Sequence, residues 1–402
     1  MSNIEYISAE KGLLLGNDDK GKHYISEGYQ HVLLLAPAGG GKGVSFVIPN
    51  LLSWNESVIV HDIKCENYEL TSGWRASQKQ EIYTWNPLSS RTHRYNPLDF
   101  ISKDQDKMVD DAQKIAHLLV KTHCHMSGAS SRSLLTGIII YLIETKHKVI
   151  SFGEITRMLT RNIADELSKS LDSFKNKIHP TCKMFLESFL GLEAKKRSKI
   201  VSTLLSNLEL FTNPIIDHAT SASDFNIANF KKRKTTLYVG LHPQDINRLQ
   251  PLMQFFYEYA ANQLLQTTDD SHGIAFFMDE FHTLGKMDDF ITSMPYFRGN
   301  KIRLCLIASD LNEIKHRTSD SYLSTVISNS TFKIIYRSSN AETVRIISEI
   351  SGGHITVNHL LNLNKKNQVL LIDDTKQILA IENQKYVYYD DATMKSRIVK
   401  PV

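Results

Sequence analysis

Two kinds of apolar spacing divide the chain. Over residues 12–100 and 235–390, short apolar and β-branched runs alternate with stretches of helical spacing, as in a mostly parallel sheet covered by helices. From about 103 to 215 that alternation stops. DKMVDDAQKIAHLLVKT, SSRSLLTGIIIYLIETKH, FGEITRMLTRNIADELSKSLDSF and SKIVSTLLSNLELF repeat apolar residues every three to four positions, which predicts helices throughout. The expected organisation is an α/β domain built from residues 1–102 and 216–402, with an all-α domain inserted over 103–215.

Three predicted strands end in groups that carry chemistry. In HVLLLAPAGGGKGVSFVIPN, residues 31–50, the apolar run 32–36 reads as a strand buried on both faces. It breaks into Gly39, Gly40 and Gly41, whose backbone can turn its N–H groups around an anion, and Lys42 adds a mobile charge. A nucleotide triphosphate is the first ligand to consider, with residues Ala38, Gly39, Gly40, Gly41, Lys42, Gly43 and Val44 forming its phosphate cradle. The phosphate-loop pattern would place glycine at 36 and a hydroxyl at 43, where this chain has Ala36 and Gly43.

HGIAFFMDEF, residues 272–281, is a second such strand, ending in Asp279 and Glu280. Strand tips are where ligands bind in sheets of this kind. An acid there holds Mg²⁺ in phosphoryl-transfer enzymes, and a second carboxylate can take a proton from the attacking water. Asp279 suits the metal role and Glu280 the base. The bland reading is an acidic pair opening a helix. SVIVHDIKCENYEL, residues 57–70, likewise ends in Asp62, Lys64 and Glu66, a pattern that fits a solvated turn as well as a site.

Residues 31–73 resemble the nucleotide-binding domain of type IV secretion coupling proteins, the TraG/TraD-like ATPases of conjugation and effector export. The similarity continues through NPLDF (96–100), TSASDFNI (220–227), TTLYVGLHPQDINRLQPL (235–252), MDEFHTLGKM (278–287), IRLCLIASDL (302–311) and YYDDATMKSRI (388–398). It implies a RecA-like P-loop fold with an all-α insertion, ATP and Mg²⁺ as ligands, and a ring, hexameric when assembled. It also implies DNA, a relaxase or secreted effectors, and inner-membrane secretion components as partners, at the cytoplasmic face of the bacterial inner membrane. Glycine after the loop lysine is a trait of this family. Asp62 is then expected beside the Mg²⁺ or phosphate region. Arg298, nineteen residues after Asp279, falls where relatives place an arginine finger for the neighbouring subunit's nucleotide, although a surface arginine would read the same. Ser309 departs from the family's glutamine at that strand end and could reach a γ-phosphate only through water.

Composition narrows the alternatives. With 402 residues, 42% of them hydrophobic, a sizeable core is expected. The four cysteines show no paired spacing, so reduced thiols are expected, and His123, Cys124 and His125 are too close in sequence to converge easily on one metal. The longest apolar run, LLTGIIIYLI at 134–143, is shorter than a membrane helix needs. Since most relatives carry an N-terminal anchor, the chain is expected to be the soluble part that follows one, or else an anchorless relative. A net charge of +4 is modest for a nucleic-acid binder, and KKRSK (195–199) and KKRK (231–234) suit either DNA phosphates or water. A chromosomal translocase of the FtsK/HerA kind and a docking platform with little hydrolysis are the alternative functions.

Overall fold

The computed structural model describes residues 12–121, 125–146, 149–173, 178–269, 271–374 and 377–402. The described residues divide into two compact units, those within 1–84, 227–250 and 260–402, and those within 85–226 and 251–259.

The first unit is organised by an eleven-stranded sheet. Its strands are β1 (Leu13–Asn17), β2 (His23–Ser26), β3 (Val32–Leu35), β4 (Ser57–Ile63), β5 (Glu81–Trp85), β6 (Thr235–Leu241), β7 (Ile274–Met278), β8 (Ile302–Ala308), β9 (Phe332–Ile335), β10 (Asn367–Asp374) and β11 (Gln377–Gln384). Their order is β2-β1-β11-β10-β9-β3-β8-β7-β4-β6-β5. From β9 through β6 the neighbours run parallel, whereas β10, β11, β1 and β2 add antiparallel pairs on one side. The parallel strands β3, β7 and β8 are buried along their whole length, which explains the unbroken apolar runs of β3 and β7; β8 is apolar except for Arg303.

Register aligns the strand ends that carry the chemistry. Leu35 pairs with Ala308 and with Ile335, Met278 with Leu306, and His61 with Met278. The loop after β3, the acidic pair after β7, Ser309 after β8 and Asp62 near the end of β4 therefore share the C-terminal edge of the sheet. Parallel strands separated in sequence make this possible, because each ends at the same edge.

Two polar devices seat the helices on this sheet. The Asn50 side chain accepts from Leu14 N (2.7 Å) and donates to Leu14 O (3.0 Å), tying the helix Ile48–Ser53 to β1. Arg75 is 1% exposed and donates to the carbonyls of Leu51, Trp54 and Glu56 and to Thr236 Oγ1, at 2.6–2.8 Å. A buried guanidinium needs such complete satisfaction.

The second unit holds the helices Gln105–Leu119, His125–Glu144, Phe152–Thr160, Ile163–Ser173, Pro180–Leu190 and Ala194–Asn207, and no strand lies among its described residues between 103 and 215. Its extent differs from the stretch marked out by helical periodicity. It starts at Trp85 and recruits residues 251–259 from the middle of helix Ile246–Gln266. Aromatic packing is the physical reason, since Trp85 stacks on Phe256 at 4.5 Å and Tyr95 on Phe225 at 5.0 Å. Among the described residues Cys65, Cys182 and Cys305 are free thiols. His123, Cys124 and the side chain of His125 lie outside the described residues. No helix among the described residues is long and apolar enough to cross a membrane.

Candidate nucleotide site

The loop after β3 is anchored at its base by Ala36 N, which donates to Ala308 O at 3.0 Å. Gly40 N donates to Pro37 O at 2.8 Å, and a Cβ on Gly40 would come within 2.8 Å of the same carbonyl. Gly39 and Gly41 have φ of +72° and +87°, a region that side chains rarely enter, so this turn requires glycine at both. Helical winding begins at Gly43 and continues into Ile48–Ser53. A loop that opens directly into a helix directs backbone N–H groups and the positive end of the helix dipole at one point. At Gly43 an added Cβ would meet open space.

Lys42 connects this loop to the acidic strand tip. Its ammonium forms an ion pair with Glu280 Oε1 and lies 3.6 Å from Asp279 Oδ1. Burial pushes the Asp279 carboxyl above its usual range, Lys42 pulls it back, and Glu280 adds to the rise. Glu280 has φ +51° and ψ +42°, unusual for a side-chain-bearing residue. That conformation is held by Thr283, whose N and Oγ1 both donate to the Glu280 carbonyl at 2.8 and 2.7 Å. The donor set suits a hard cation: one partly buried carboxylate, a second beside it, and a lysine able to leave both for a phosphate. A hydroxyl at position 43, the usual side-chain ligand from the loop to Mg²⁺, is missing from this chain.

Asp62 stands one residue beyond the His61–Met278 pair, and so beside Asp279. Its oxygens are engaged by the following helix: Oδ1 accepts from Asn67 N and Nδ2 at 3.1 and 3.0 Å, and Oδ2 from Tyr68 N at 2.8 Å. Asp62 thus caps the helix Glu66–Ser77. Burial raises its carboxyl to about 7 against those three bonds, with a smaller push from Asp279.

Arg298 is not brought to this cluster. It is exposed and precedes β8, whose seven residues separate it by roughly 20 Å of strand from the edge where the loop lies. Lys231 of the basic run 231–234 is 1% exposed, so burial removes it from any phosphate-contacting surface. Lys195, Lys196 and Lys199 are exposed.

Three features escaped the sequence reading. Lys385, just past β11, donates to Gly40 O at 3.1 Å and lies 3.8 Å over the Tyr336 ring. Tyr336 OH shares a 2.6 Å hydrogen bond with Ser45 Oγ, which also donates to Gly41 O at 2.6 Å, so the loop is braced from outside. On the other side His282 and Glu313 flank Glu280, and burial holds the His282 imidazole below its usual range. No local motif surrounds Lys385, Tyr336 or Glu313; only the fold assembles them.

A family model described as Type IV secretory system Conjugative DNA transfer matches residues 6–359. The chain belongs to that family. Among family relatives, it is 27% identical to Protein VirD4 of Rhizobium radiobacter over 92% of its length and 59% of the relative's. It is 28% identical to the conjugal transfer protein TraG of Escherichia coli over 83% of its length and 57% of the relative's. The chain thus spans just under three fifths of the length of these curated relatives. Its fold matches that of the plasmid coupling protein TrwB solved with the ATP analogue ADPNP, with a TM-score of 0.69 at 13% identity, covering 95% of this chain and 90% of TrwB. TrwB with ADP and Mg²⁺ matches at a TM-score of 0.67 and 14% identity, covering 89% and 85%. The family relationship and the α/β RecA-like P-loop fold expected from the sequence therefore both hold.

Proposed function

We propose that this coupling-family chain is an ATP hydrolase that recruits a DNA–relaxase complex or protein effectors and delivers them to a type IV secretion channel. The observation that carries this reading is the meeting of Lys42 with Asp279 and Glu280, contributed by two strands separated by more than 200 residues. Homology to VirD4 and TraG supports the secretion role, and the nucleotide complexes of TrwB support ATP and Mg²⁺ as ligands.

In this mechanism Lys42 leaves the carboxylates for the β- and γ-phosphates, and residues 38–44 hold the phosphates through backbone N–H groups. Bound at Asp279, Mg²⁺ would offset phosphate charge. Once freed by Lys42, Glu280 accepts the proton of the attacking water. Asp62 stiffens the neighbouring strand end and sets the charge next to Asp279. Arg298 lies on the far edge of its own sheet, and that position supports action on the nucleotide of an adjacent subunit in a ring that the chain forms with five further copies of itself, a homohexamer.

ATP turnover measured across protein concentrations, with and without single- or double-stranded DNA, tests the proposal. Lys42→Ala should abolish nucleotide binding, Glu280→Gln should bind nucleotide without turnover, and Arg298→Ala should lose only the rate gained on assembly. Full turnover by Glu280→Gln would remove it as the base. A second reading, a nucleotide-binding docking platform with scarcely any hydrolysis, draws on Ser309 in place of the family's glutamine. Flat, DNA-independent activity near background would favour it.

A further inference from the structure

Beside the phosphate loop, three side chains converge in a way that neither nucleotide binding nor helix capping requires. His282 lies in the short helical turn Phe281–Leu284 that follows the acidic pair, and Glu313 in the first turn of helix Leu311–Arg317 after β8. Asp310 caps that helix by accepting from Glu313 N at 3.0 Å, which fixes where the Glu313 side chain starts. His282 Nδ1 is 3.3 Å from Glu313 Oε2 and 3.6 Å from Glu280 Oε2. One ligand atom from each of the three residues falls within 4.8 Å of the others.

Two of these atoms, His282 Nδ1 and Glu313 Oε2, are buried and make no hydrogen bond, and the His282 side chain is only 10% exposed. Buried polar atoms aimed at one another without bonding are costly unless something else occupies the space between them. Their spacing identifies what would fit. An ion bound at about 2.0–2.2 Å with tetrahedral angles separates its ligand atoms by about 3.3–3.6 Å, the span of the two His282 distances.

We propose that Glu280, His282 and Glu313 form a site for a divalent transition-metal ion of the Zn²⁺ class, distinct from the Mg²⁺ position at Asp279. An imidazole with two carboxylates selects such ions, whereas Mg²⁺ prefers an octahedral shell of oxygens and water. Occupation engages Glu280 Oε2 and so withdraws this carboxylate from water activation. The inhibitory part of the proposal rests on the reading of Glu280 as the base; the metal site itself does not.

The test titrates the full chain without nucleotide, in excess Mg²⁺, with Zn²⁺ by calorimetry and with Co²⁺ by visible absorption. One site per chain is expected, with the Co²⁺ bands of a four-coordinate ion and an affinity at least about tenfold lower in both His282→Ala and the isosteric Glu313→Gln. Wild-type affinity in both variants, or full displacement of Zn²⁺ by Mg²⁺, overturns the site. Zn²⁺ added at saturating Mg²⁺ and ATP should then cut wild-type turnover at least about tenfold and leave the rate of His282→Ala where it was before the addition. Zn²⁺ bound with turnover undiminished overturns the withdrawal of Glu280. A wild type with no turnover even before Zn²⁺ is added counts against Glu280 as the base, while the metal titration is read independently.

Discussion

Lys385 donates to the carbonyl of Gly40 across 3.1 Å, although the two are 345 positions apart in the sequence. The same ammonium lies over the Tyr336 ring, and burial lowers it to about 8 from the ordinary lysine range. The loop proposed to cradle phosphate is thus held by a residue just past β11, the last strand of the sheet. Lys385→Met keeps the aliphatic bulk and removes the donor. Its expected effect is a rise in KM for ATP of about three- to tenfold with a smaller change in kcat, the scale of one lost hydrogen bond. An unchanged KM would show that the loop keeps its shape unaided.

Gly43 marks the place where a hydroxyl would reach a phosphate-bound Mg²⁺, and an added Cβ there meets open space. Gly43→Ser is therefore expected to fold normally and to lower the Mg²⁺ concentration giving half-maximal ATP turnover by about three- to tenfold. A Mg²⁺ dependence identical to wild type would mean that residue 43 does not face the ion.

The raised carboxyl of Asp62 predicts a pH dependence with a definite sign. Because the folded form binds the proton more tightly than the unfolded form, Asp62 favours folding most below about pH 4. That contribution is lost as pH rises towards 7. Asp62→Asn removes this titration while retaining one acceptor for the helix cap. The stability difference between wild type and variant, followed by urea unfolding, should move in favour of the variant by at most about 4 kcal/mol between pH 4 and 7. A difference independent of pH over that window would refute the assignment.

Arg75→Met leaves the carbonyls of Leu51, Trp54 and Glu56 without their buried donor. A loss of about 3–5 kcal/mol is expected, read as a lower urea midpoint at an unchanged slope. A loss below about 1 kcal/mol would indicate that water replaces the guanidinium.

Much of the fold was readable from spacing alone. The apolar runs ending in Lys42, Asp62 and Asp279 are strands buried on both faces, and such strands in a parallel sheet all end at one edge. Glycines 39 and 41 were legible because only that residue accepts their backbone angles readily. Helical periodicity likewise identified the helical stretch between 103 and 215, because it reports local burial of one helix face.

Tertiary structure decided which distant residues meet. Trp85 and residues 251–259 entered the helical unit through aromatic packing that has no period in the sequence. Asp62 was assigned to a helix cap, Lys231 to the interior and Arg298 to the far edge of the sheet, although the charge of each, read alone, was compatible with a place in a nucleotide or nucleic-acid site, the acid beside Mg²⁺ and the two cations on phosphate. Lys385, His282 and Glu313 took their places beside the loop and the acidic pair only through strand order and register. Local sequence determines which segments become strands and helices because burial and backbone preference act over a few residues. Convergence at a site depends on chain crossings hundreds of residues apart, and those are settled only when the whole sheet packs.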